Sequence, residues 1–236
     1  MVPFAMLGVA AGVLTTVAGL GGGILMMLVI AFVTDPKVAL AATAPALLIG
    51  NLHRVSLFAR EVDRPMAKSF ALGAFPGSLI GGLLLPRLPT GVVAFAMCAM
   101  TLLALLRVLK VIELRPNVRA IVPAAFGIGA LAATSGGAGL LAAPLLMSAG
   151  LTGAPYVSTA AAAAVAMHLG RVIAYGTTGL LDGRTLRLSA VLVVTVMVGN
   201  LFGKALRRHL SPATSTRLEV SALMVAATLG VAGVLH

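Results

Sequence analysis

The chain has 236 residues, 60% of them hydrophobic and only 10% charged, with a mean hydropathy of +1.09 and a formal net charge of +11. Soluble domains carry roughly 25% charged residues, so this composition excludes an ordinary water-soluble fold. The basic excess does not mark a nucleic-acid binder, because the Lys and Arg residues fall between apolar stretches and no aromatic platform exists to stack bases.

Pro, Gly and charge divide the sequence into eight apolar units, roughly 3–33, 37–59, 66–86, 90–110, 118–150, 154–176, 185–206 and 213–235. Lipid requires backbone groups to be satisfied within each segment, and the alternation of a barrel is absent. The expected fold is therefore all-α, a polytopic helical membrane protein.

Unit 1 is free of charge and contains Gly19-Leu20-Gly21-Gly22-Gly23. Each interior Gly costs about 1 kcal/mol relative to Ala, so the run predicts a broken or re-entrant helix. The unit lacks a basic start and an unbroken apolar core, and it reads as part of the mature protein. Thr15 and Thr16 precede the break, where their hydroxyls could donate to an anion or bond back to a carbonyl one turn earlier.

Unit 2 carries Asn51 and Arg54, whose i, i+3 spacing puts both on one helix face. In units 3 and 4, Gly73, Gly77, Gly81 and Gly82 read as close-packing positions and Cys98 as a small packing residue. Unit 5 has a second break at Ser135-Gly136-Gly137-Ala138-Gly139, preceded by Thr134. Unit 6 repeats the polar pair as His168 and Arg171. For both arginines two readings stand open: a guanidinium that forks onto an anion, or one that snorkels to the helix end.

The glycine runs align at an offset of 116 residues, the Arg54 and Arg171 segments at 117, and Gly77-Ser78-Leu79-Ile80-Gly81 with Gly199-Asn200-Leu201-Phe202-Gly203 at 122. A duplicated four-unit module follows, with repeats at 1–115 and 116–236. If all units span, the Lys and Arg residues between them divide nine against six. If units 1 and 5 are re-entrant, one side collects eleven (three in 60–68, four in 107–119, four in 204–217) against Lys37, Arg87, Arg184 and Arg187. The second arrangement obeys the positive-inside bias and inverts the halves. It puts the basic loops in the cytoplasm of a bacterial inner membrane and both termini outside.

Paired broken helices at matching positions of two repeats point to a transport site, because half-helix N-termini offer N–H groups and positive dipole ends to an anion. The expected substrate-binding residues are Thr15, Thr16, Gly21, Gly22, Gly23, Asn51, Arg54, Thr134, Ser135, Gly136, Gly137, Gly139, His168 and Arg171. The acidic residues all fall at segment ends or in loops, so a buried proton relay of carboxylates is not expected. His168 could gain a proton below about pH 6.5 and strengthen anion binding. The expected partners are a small anionic substrate and membrane lipid, with proton or ion coupling and a homodimer left open. No cofactor, metal or nucleic acid is expected.

On these glycine runs the chain resembles the TauE/SafE family of sulfite exporters and sulfonate permeases. Gly19, Gly21, Gly22 and Gly23 match its first motif and Pro144 the proline after the second, while Ser135, Ala138 and Leu28 depart from it. The resemblance implies a carrier of sulfite, sulfonates, sulfoacetate or related organic anions, not an enzyme. An intramembrane hydrolase built on Ser135 and His168, and a non-transporting scaffold, are the alternative readings.

Overall fold

The structure is a computed structural model that describes the chain except residues 19–20, 113–117, 138 and 235–236, and the side chains of 118, 139–140, 212–213, 219 and 231–234. Among the described residues ten α-helices occur, in the order α1 (Val2–Ala18), α2 (Gly22–Val33), α3 (Pro36–Leu57), α4 (Arg64–Leu84), α5 (Thr90–Val108), α6 (Ile121–Ser135), α7 (Gly139–Ser148), α8 (Gly153–Thr177), α9 (Gly183–Arg207) and α10 (Pro212–Val234). Among the same residues five segments, containing α3, α4, α5, α8 and α9, are long and apolar enough to cross a bilayer, and α1, α2 and α6 are shorter apolar helices. Large apolar side chains such as Leu72, Phe95, Val194 and Phe202 are exposed on their outer surfaces, as lipid-facing positions are. The chain is a multi-pass helical membrane protein.

Units 1 and 5 of the sequence each resolve into two helices, α1 with α2 and α6 with α7. Left-handed glycines stand at the breaks: Gly21 has φ 91°, Gly136 φ 62° and Gly137 φ 67°, a conformation that costs other residues roughly 1–2 kcal/mol. The proposed repeat boundary at 115/116 and the motif residues Gly19, Leu20 and Ala138 lie outside the described residues.

Side-chain register fixes the helix directions. A Cβ at Gly8 would touch Thr195, one at Gly12 would touch Gly199, and one at Gly203 would touch Thr16, so α1 and α9 run parallel. Ser189 donates to Ala42 O, Asn200 to Gly50 O and Lys204 to Leu57 O, so α3 shares that direction. Gly73 meets Val122, Gly77 meets Phe126 and Gly81 meets Ala130, so α4 and α6 are also parallel. The Thr159 hydroxyl accepts from the Asp63 N–H, and Gly82 faces Ala174 and Tyr175, which aligns α8 with α4. Arg171, late in α8, donates to Leu40 O, early in α3, so the two groups of helices are antiparallel.

Tracing these directions puts Met1, Lys37, Arg87, Arg184 and Arg187 on one face. The opposite face holds Arg60, Arg64, Arg107, Lys110, Arg119, Arg207 and Arg208, and is called here the basic face.

The starts of α3, α4 and α9 carry aspartate caps. Asp35 accepts from the N–H groups of Lys37 and Val38, Asp63 from Met66, and Asp182 from Arg184 and Thr185. The Thr185 N–H and hydroxyl, with the Arg184 N–H, hold the Asp182 carboxyl below its usual range. A depressed folded pKa stabilises the fold above the unfolded value of about 3.9 and loses that effect as pH falls through the folded value. Asp182→Ala should therefore lower Tm at pH 7, and the gap to the parent should narrow as pH is taken below about 4 in thermal melts.

Candidate functional site

The two breaks and the two interior arginines converge on one cavity of about 100 Å³. Its lining includes Thr15, Gly21, Gly23, Asn51, Arg54, Gly137, His168 and Arg171, brought there from α1, the α2 start, α3, the α6–α7 break and α8. Apolar residues fill the remaining wall, among them Ile24, Met27, Leu47, Phe70 and Met167.

Arg171 is only 2% exposed. Its Nε donates to Tyr175 Oη at 3.3 Å and its Nη2 to Leu40 O at 3.0 Å, while Nη1 lies 3.1 Å from His168 Nδ1. Tyr175 in turn donates to Ala133 O at 2.6 Å, near the end of α6. The Leu40 and Ala42 carbonyls of α3 accept from Arg171 and Ser189, since a carbonyl oxygen has two lone pairs and can take a side-chain donor beside its helical one.

Arg54 is 6% exposed. Its Nη1 donates to Thr15 O at 2.8 Å and its Nη2 to Asn51 Oδ1, while Nε has no partner among the described residues. The Asn51 amide is anchored through Nδ2 to Leu47 O at 2.6 Å. These partners of the two guanidinium groups are electrically neutral, and among the described residues no Asp or Glu lines the cavity. Two buried cations therefore face one small space without a counter-charge, which attracts an anion.

Five expected site residues do not line this cavity. Thr16 donates to Asn200 Oδ1 at 3.0 Å and serves the α1–α9 contact. Gly22 lets α2 pass against the Ala11 backbone, and Gly136 packs against Met27 and Leu40. Thr134 and Ser135 bond back to Ala130 O at 3.0 Å and Leu131 O at 2.7 Å. Gly139 opens α7, and its place relative to the cavity lies outside what the structure describes. Thr15 lines the cavity, yet its hydroxyl proton is committed to Ala11 O at 2.8 Å. A hydroxyl has one proton, and in three of these four residues the helix carbonyl one turn earlier takes it.

Gly21 is the N-cap of α2 and supplies no side chain to bond its first-turn N–H groups. His168 differs from the sequence expectation. A guanidinium nitrogen only donates, so Nδ1 is the acceptor; protonating it would break the bond and set two cations about 3 Å apart. Acid strengthening of binding through His168 does not follow from this geometry. Ser135 and His168 likewise form no nucleophile–base pair, since each is bonded elsewhere.

The family model described as sulfite exporter TauE/SafE matches residues 4–231, which include both breaks and both arginines. The chain belongs to the TauE/SafE family. No curated protein and no solved structure matches it. Membership in this family makes the chain a membrane transporter. Sequence reasoning overlooked Tyr175, which holds a TauE/SafE arginine in place. Its signal was available: one of only two tyrosines in the chain, one helical turn after Arg171.

Proposed function

We propose that the protein is a secondary transporter of a small sulfur-containing anion such as sulfite or a short sulfonate, bound between the two glycine-broken helices. The supporting observation is the pair of buried, carboxylate-free guanidinium groups, Arg54 and Arg171, lining a cavity of about 100 Å³. That space holds only a few water-sized groups, which favours a compact oxyanion over a bulky one. The α2 N-terminus adds N–H donors and a positive dipole end.

We take the two halves to be inverted copies. The first helix of each, α1 or α6, packs in parallel on the fourth helix of the other, α9 or α4, and these two pairs run in opposite directions. Such symmetry supplies alternating access around a fixed site. The positive-inside bias puts the basic face in the cytoplasm of a bacterial inner membrane.

Binding stabilises by mass action, by about 2.7 kcal/mol at one hundred times Kd. Sulfite should therefore raise the Tm of purified protein, and acetate at equal concentration should not. A response to carboxylates alone would overturn the substrate class, and no response to any anion would overturn the site. Gly23→Val is the matching variant. A Cβ at Gly23 meets only the flexible Leu47 side chain, at 3.2 and 3.6 Å, so added bulk enters the cavity without striking backbone. The Tm without ligand should hold while the sulfite-induced rise disappears.

A further inference from the structure

The two arginines are not equivalent. Each nitrogen of Arg171 has a protein partner, whereas Arg54 Nε is buried with no partner among the described residues. The sequence carries the reason. Four residues after Arg171 stands Tyr175, whose hydroxyl accepts from Nε; four residues after Arg54 stands Phe58, which has no hydroxyl. The α3 helix also ends at Leu57, and the Phe58 ring lies under Lys204 and Arg207, 5.6 and 5.9 Å from the ring centre. These neighbours are cations and cannot accept a hydrogen bond.

A buried N–H without an acceptor is costly, and this one belongs to a residue that lines the cavity, where a bound group can supply the acceptor. We propose that Arg54 Nε is the docking donor for the transported anion, and that Arg171 is a positioning residue whose charge acts on the anion while its own nitrogens tie α8 to α3 and, through Tyr175, to α6. An oxyanion oxygen then completes at Arg54 what Tyr175 Oη completes at Arg171. This rests on the anion-transport reading above and adds which guanidinium meets the substrate.

The test is a sulfite titration of full-length protein labelled with ¹⁵N at arginine, in lipid nanodiscs, following the Nε–H resonances assigned through Arg54→Lys and Arg171→Lys. The Arg54 signal should move saturably, with the concentration dependence of the sulfite-induced Tm rise, while the Arg171 signal stays put. Tyr175→Phe removes the acceptor from Arg171 Nε, and in that variant the Arg171 signal should begin to respond as well. In direct binding, Arg54→Lys should weaken sulfite at least tenfold, since Lys keeps the charge but has no Nε donor. Movement of Arg171 with Arg54 still, or a Tm rise with neither moving, overturns the assignment. A parent protein that sulfite does not stabilise at all overturns the transport reading first, and this inference falls with it.

Discussion

Arg54→Met should abolish sulfite-dependent stabilisation and uptake into proteoliposomes while changing ligand-free stability by no more than about 1 kcal/mol. Two opposing effects set that small figure. Removing the guanidinium relieves a cation held 6% exposed with no carboxylate beside it among the described residues, and the cost of about 2.5–3.5 kcal/mol for a charge at a membrane helix centre is an upper bound for one in a last turn. The same change gives up the bonds to Thr15 O and Asn51 Oδ1 and a favourable cation in the last turn of α3. Met fills most of the volume without adding a polar atom. The melting temperature without ligand and the sulfite-induced rise are separate readings from one experiment. Retained uptake would remove Arg54 from the site, whereas a large drop in ligand-free Tm would make it a structural residue.

Gly77→Leu should be the more damaging change to the fold, by about 2–3 kcal/mol or through outright failure to accumulate in membranes. Gly73, Gly77 and Gly81 recur every four residues along α4, and a Cβ at each would fall closer than 3 Å to backbone atoms of Val122, Phe126 and Ala130. Gly129 answers from α6 against Ala74 and Ser78. Small residues facing each other let two backbones approach, and here the obstacle is a carbonyl rather than a side chain able to rotate away. Gly127→Ala is the control, because nothing lies within 4 Å of a Cβ there, and helix propensity predicts a gain of up to about 1 kcal/mol. Equal effects of the two variants would show that the α4–α6 crossing is not close-packed as described.

Much of this was legible in the sequence. The apolar units, the breaks around Gly21–Gly23 and Gly136–Gly137, and the packing role of Gly73, Gly77 and Gly81 follow from local rules of helix propensity and membrane solvation. The polar pairs Asn51 with Arg54 and His168 with Arg171 followed from spacing, and all four line the cavity. Less legible was how each polar atom is used. Thr134 and Ser135 are at the break in sequence, but their protons go to Ala130 O and Leu131 O, a competition that spacing alone does not decide. Gly22 belongs to the same run as Gly21 and Gly23, yet one helical step turns it from the cavity onto α1. Tyr175 and Phe70 matter through contacts across the bundle, which only the assembled helices reveal.

The pairing of α1 with α9 has a consequence for how the protein is made. Thr16 finds its hydrogen-bond partner, Asn200, 184 residues further along the chain. At synthesis rates of about 5–20 residues per second, α1 waits roughly 10–40 s in or beside the bilayer before α9 exists to receive it. During that interval its glycine face, Gly8 and Gly12, has no packing partner. The insertion machinery must therefore shelter the earliest helix until the ninth one emerges, and an N-terminal half released alone would present that face to any other helix in the membrane.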